Sequence, residues 1–180
     1  MRPLARGAAS LGAIALGFAA AGCPFMKTST TVRVDAHQVT WTDLDLEPLA
    51  SGGTAWGFEF APCDDSQSAM GPMYIGGAYS RAVLDDDSVE QRAGVRARSS
   101  MLDHSSASFP YAAVGVYLGW LEPTGRYSRI GMGVEGGFGL RLGMGRHAGL
   151  DLEAIFSYGY YASAFQAQCL RLGGGLFIGF

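Results

Sequence analysis

The residues that could carry chemistry in this chain are few and scattered. His104 and Ser106 stand two apart in "DHSS". That spacing would let a histidine serve as base to a serine nucleophile, as ester hydrolysis needs, if the fold brought them within hydrogen-bond reach. His37 and His147 are isolated, and His147 in "GRHAG" reads as a turn residue. Asp43, Asp45 and Glu47 alternate in "DLDLE", and Asp85, Asp86 and Asp87 form a second acidic group. Clustered carboxylates can take calcium or magnesium, but EF-hand spacing is missing and a solvated acidic loop explains both. "GMGVEGGFG" has the glycines of a nucleotide loop, yet no helix follows and the glycines keep a strand period. Of the 3 cysteines, Cys63 and Cys169 show no Cys-x-x-Cys spacing, which argues against zinc. No cofactor, metal or catalytic residue is expected.

A second charged set is more regular. Glu90, Arg92, Arg96 and Arg98 share one face of "EQRAGVRARSS", with Ala93, Val95 and Ala97 opposite. Glu135 and Arg141 sit among glycines in "RIGMGVEGGFGLRLG", and Asp151 and Glu153 alternate with leucines in "LDLEAIFSYGY". Both signs occur on these polar faces, so the charges can pair.

The elements that position them are strands. There are 27 glycines, β-branched and aromatic residues are spread throughout, and the hydrophobic period is two, not 3.6. Eight candidates run roughly over 30–39, 54–61, 73–84, 89–99, 111–121, 129–144, 149–160 and 170–180. Four carry most of the pattern. Their apolar sets are Ala112, Val114, Val116, Leu118 and Trp120; Ile130, Met132, Val134, Phe138, Leu140, Leu142 and Met144; Leu150, Leu152, Ala154, Phe156, Tyr158 and Tyr160; and Leu170, Leu172, Leu176, Ile178 and Phe180. The first strand changes parity at Val39 and Trp41, as a β-bulge or a wrong assignment would make it do. Residues 38–53 read as a long loop, "DDDS" as a tight tip, and "EPTGRYS" and "GRHAG" as turns.

The first residues lie outside this scheme. Arg2 and Arg6 followed by the apolar run Ala8 to Ala21 have the layout of a secretory signal over 1–22, too short for a spanning helix. "AAAGC" resembles a bacterial lipobox that would acylate Cys23, although Ala20 stands where leucine is usual; cleavage after Ala19-Ala20-Ala21 is the alternative. A tether over 23–29 would then lead into a barrel domain over 30–180. Without Arg2 and Arg6 the 13 basic residues fall to 11 against 16 acids, a net charge of −5 that disfavours nucleic acid. In an exported chain, Cys63 and Cys169 suggest a disulfide.

Period two does not say which face points inward. Glycine fits a cramped barrel interior better than a water-facing surface. Aromatic residues gather toward strand ends at Trp41, Trp56, Trp120, Tyr158, Tyr160 and Phe180, as at a membrane boundary. With Leu172, Leu176, Ile178 and Phe180 as a candidate assembly signal, and Gly174 departing from it, the chain resembles the small bacterial outer-membrane β-barrel families. The resemblance covers about 30–180 and is strongest from Tyr111 onward. It implies an all-β, antiparallel, up-and-down transmembrane barrel of eight strands in a Gram-negative outer membrane. Outer-membrane lipid and the barrel assembly machinery would be its partners.

Barrels of that size are filled by side chains, so Arg92, Arg96, Glu135, Arg141, Asp151 and Glu153 are expected to form an interior ion network. An even strand count puts both termini on one side, the periplasm on this resemblance. Two connections on that side, near 62–72 and 100–110, look long, and Cys63 and Cys169 fall at opposite ends, at odds with a disulfide. The expected role is structural or in surface interaction, non-catalytic, carried by loops near 40–53, 85–88, 121–128 and 161–169. A lipid-anchored soluble barrel enclosing a small apolar ligand is the alternative. A third reading is a lipid-modifying hydrolase, because His104 and Ser106 faintly resemble the outer-membrane lipid A deacylases, though without the asparagine that follows there.

Overall fold

A computed structural model describes residues 31–43, 50–65, 73–100, 108–125, 127–144, 148–162 and 165–179. The strands are β1 (Thr31–Asp43), β2 (Ala50–Asp65), β3 (Met73–Leu84), β4 (Val89–Ser100), β5 (Ser108–Glu122), β6 (Arg129–Gly143), β7 (Ala148–Tyr161) and β8 (Phe165–Gly179). Each pairs antiparallel with its sequence neighbours, and β1 pairs with β8 from Thr31↔Gly179 to Asp43↔Ala167, closing an up-and-down barrel. Closure satisfies every edge that an open sheet would leave exposed.

Both ends of the described chain lie at one end of the barrel, here the terminal end. The connections over 44–49, 85–88, 123–128 and 162–164 lie at the other, the distal end. The acidic tip is a tight turn in which Leu84 N donates to Ser88 O at 2.9 Å and Asp87 adopts φ 62°. Asp86 stabilises it by accepting from Ser88 N at 3.1 Å and Ser88 Oγ at 2.8 Å. Thr124, in the neighbouring turn, donates its hydroxyl to Asp86 O at 2.6 Å, tying two distal turns together.

Several expectations need correction. The long loop over 38–53 is mostly strand, because β1 runs to Asp43 and β2 begins at Ala50. No bulge interrupts β1: its register with β2 is unbroken from Thr31↔Ala61 to Thr42↔Ala50. Val39 keeps the inward parity of Arg33, Asp35 and His37, and the lumen itself becomes apolar at that level. The register shift falls instead between β2 and β3, at Phe60/Cys63. β5 and β8 start earlier than expected, at Ser108 and Phe165, so the segment over 161–169 is also largely strand. The two connections that looked long shrink to 66–72 and 101–107. Cys169 is a free, buried thiol near the distal end, so the disulfide expectation fails. Trp56 projects from the middle of β2, not from a strand end. His104, Ser106 and Phe180 lie outside the described residues, as do Cys23 and the signal and tether segments.

Candidate functional site: charged lumen, apolar exterior

The barrel is inverted relative to a water-soluble one. Arginines and carboxylates fill its lumen, and aliphatic side chains cover its outside. On β5 and β6 the outward residues Val114, Val116, Leu118, Ile130, Met132, Val134, Phe138 and Leu140 are all exposed. Leu152, Phe156, Tyr160, Leu172, Leu176 and Ile178 continue the belt on β7 and β8. Phe138 is 69% exposed and Val114 62%, far beyond the scattered apolar residues that a monomeric soluble surface carries. Leu172, Leu176 and Ile178, the described members of the expected assembly signal, all face outward in this belt.

Inside, the strand period brings charges from six strands together. Glu153 on β7 is the hub. Its Oε2 accepts from Arg33 Nη1 at 2.8 Å, Tyr111 OH at 2.9 Å and Arg98 Nη2 at 3.3 Å, and His37 Nε2 lies 2.9 Å from Oε1. Arg96 Nε donates to Glu135 Oε1 at 2.6 Å and extends Nη1 toward Glu59 Oε2 at 3.6 Å. Arg98 pairs with Glu59 as well. Arg141 and Asp151 face each other across β6 and β7 in a bidentate pair, 3.0 and 3.1 Å, with the guanidinium 4.0 Å from the Phe177 ring centroid.

Toward the distal end, fully buried Glu90 accepts from the Tyr161 hydroxyl and pairs with Arg92 at 2.9 Å and Arg171 at 3.4 Å. Arg92 also donates to Ser157 Oγ at 2.7 Å and lies 4.3 Å from the Tyr117 ring centroid. At this end the remaining lumen is apolar, packed with Val39, Ala55, Ala82, Leu84, Leu121, Tyr161, Ala167 and Cys169. Between these layers lies a small cavity of about 20 Å³, room for a single water, lined by Asp35, His37, Arg92, Arg96, Glu135 and Arg171.

Glycine makes this filling possible. Tyr111 and Tyr117 on β5 lie directly opposite Gly139 and Gly133 on β6, and their rings occupy the space a Cβ would need there. The glycine face of β6 is therefore the bed for inward tyrosines.

All six residues expected in the interior network point into the lumen. The structure joins Arg96 to Glu135 and Glu153, and Arg141 to Asp151. Arg92 takes Glu90 as its partner, outside that set. Arg33, Asp35, His37 and Glu59 were not singled out, although the same alternation marks them: "RVDAH" places three on one face, and Glu59 lies between Phe58 and Phe60.

Asp35, His37 and Glu153 bring ligand atoms within 4.8 Å of one another. Charge counting opposes a resident dication. Buried Arg33, Arg92, Arg96, Arg98, Arg141 and Arg171 already match Asp35, Glu59, Glu90, Asp151, Glu153 and the 7%-exposed Glu135, six against six. A metal there would sit beside Arg33 and Arg98 with no spare negative charge. The soluble alternative also fails here, since it needs an apolar cavity where the chain has an ionic plug.

Fold and layering together define a small, closed, eight-stranded β-barrel with an apolar exterior and a charged, filled lumen. No protein family matches the sequence, and no curated protein matches it. Among solved structures, the chain is similar to Neisserial surface protein A (NspA), with a TM-score of 0.61 and 16% identity over 84% of this chain and 97% of that one. The attachment invasion locus protein Ail of Yersinia pestis aligns at a TM-score of 0.44 and 13% identity, over 85% of this chain and 100% of that one. The likeness to NspA is one of fold.

Proposed function

We propose that this chain is a bacterial outer-membrane β-barrel with a structural or surface-interaction role and no catalysis. The inverted layering carries the reading: apolar side chains face out and ion pairs face in. Every strand has 12 to 16 residues, more than the about 9–11 that cross a bilayer, so the barrel can span and still project. The plugged lumen favours surface contact over conduction. The resemblance to the outer-membrane families and the fold of NspA, a surface protein by its name, support the same reading.

Export through a signal over 1–22, a lipid on Cys23, and recognition of β8 by the barrel assembly machinery belong to this proposal. The distal connections, with strand extending above the belt, supply the surface that would meet a partner. The test is fractionation of a Cys23→Ser chain that is still exported. It should remain extractable only by detergent and migrate differently on gels with and without heating. Release into buffer would overturn the proposal.

A further inference from the structure

Arg81 stands on the apolar exterior, and among the described residues its charge has no partner. It points outward from β3 and is exposed, and no described residue forms an ion pair or hydrogen bond with its guanidinium. Its direct cross-strand neighbours are Trp56 on β2 and Gln91 on β4, and Gln91 in turn lies opposite Trp120 on β5. Gln91 is held in place, because Tyr79 OH donates to its Oε1 at 2.9 Å. Its amide N–H groups are thereby left as donors beside Arg81. Tyr79 is braced by Trp56 and Phe58, at centroid distances of 5.9 and 5.6 Å. The result is a patch of donors backed by an aromatic wall.

The patch sits where this side of the exterior changes character. Toward the distal end β1 passes from Ala36 to Gln38 and Thr40 and β2 from Trp56 to Thr54, while Val83 and Val89, paired across β3 and β4, are the last outward apolar residues before the acidic turn. If the belt faces lipid, as proposed above, this is the level of headgroups, where tryptophan rings and snorkelling arginines sit well.

We propose that Arg81 and Gln91 bind the phosphate of a membrane-lipid headgroup, with Trp56 and Tyr79 shielding the contact. The guanidinium offers paired N–H donors that match two phosphate oxygens, a geometry that a lysine could not reproduce. The apolar belt below the patch holds the acyl chains of the same molecule, which selects a lipid over free phosphate.

Native mass spectrometry of the full chain, folded in detergent, tests this with phosphatidic acid and with diacylglycerol of identical chains. Phosphatidic acid should be retained and diacylglycerol should not. Arg81→Gln should weaken retention about tenfold and Gln91→Leu severalfold, whereas Arg129→Gln should change nothing. Equal retention by Arg81→Gln, or of the two lipids by the native chain, overturns the site. Full displacement by equimolar inorganic phosphate overturns the lipid assignment. Insertion into phosphatidylcholine vesicles is measured alongside: a chain that inserts but does not discriminate refutes the site alone, and one that fails to insert refutes the membrane reading beneath it.

Discussion

Arg33 on β1 donates to Glu153 on β7 at 2.8 Å, a bond between residues 120 apart in sequence and on strands separated by β8. The same carboxylate takes Arg98 from β4 and Tyr111 from β5. One buried side chain thus links four of the eight staves.

Replacing Glu153 leaves the lumen one buried positive charge in excess: Arg98 keeps Glu59, and Arg33 keeps only the longer contacts to Asp151 and Asp35, at 3.6 and 3.8 Å. Glu153→Gln should destabilise the barrel by about 3–5 kcal/mol, the range for breaking one side of a buried pair. The urea midpoint for unfolding from lipid vesicles measures this. The double change Glu153→Leu and Arg33→Met, which leaves five buried arginines against five carboxylates, should recover most of the loss, because the cost lies in unpaired charge.

The tyrosine bed on β6 makes a steric prediction. Gly139→Ala puts a methyl where the Tyr111 ring lies, and overpacking of this kind costs about 1–3 kcal/mol. A Tyr111→Ala background removes the clash with the ring but not the one with the Leu152 carbonyl oxygen, 2.6 Å from the added carbon, so the double mutant should be less unstable than the sum of the two single changes yet not fully relieved. The same urea titration reads both.

Arginine substitutions along the exterior report on its solvent. Val134→Arg, in the middle of the β6 apolar run, should cost about 2–4 kcal/mol if that face meets lipid. Gln168→Arg, toward the distal edge on β8, should cost about 0–1 kcal/mol by the same depth dependence. Equal, small effects at both positions in vesicle-refolding titrations would mean that the belt faces water.

Cys169 is 1% exposed in the distal packing of the lumen. In a chain whose other cysteines are replaced by serine, an aqueous maleimide should modify it only after denaturation. Rapid labelling of the folded protein would show that the distal lumen is open.

Most of the strand scheme was legible in the sequence, and most clearly on β5 to β8. There the outward rows of leucine, valine and aromatic residues alternate with glycine and charge, which is as strong as a period-two signal becomes. β1 was the least legible. Val39 faces inward like Arg33, Asp35 and His37, but it enters the apolar part of the lumen. An inward row that changes from charged to apolar looks, along one strand, like a slip in register. Strand ends were also misjudged at 40–43, 50–53, 108–110 and 165–169, because Gly52, Gly53 and Pro110 read as turn residues and Thr40, Thr42, Gln166 and Gln168 interrupt the apolar rows.

The amino-acid order alone determined which side chains share a face, because successive Cβ atoms in a strand point to opposite sides. It also determined the up-and-down rhythm, through turn residues spaced one strand apart. Closure decided the rest. The register between β1 and β8 brings Arg33 and His37 round to the carboxylate that Arg98 and Tyr111 reach from the far wall. Those contacts join residues far apart in sequence across a shared lumen, and their geometry exists only once the sheet has curled back onto its own first strand.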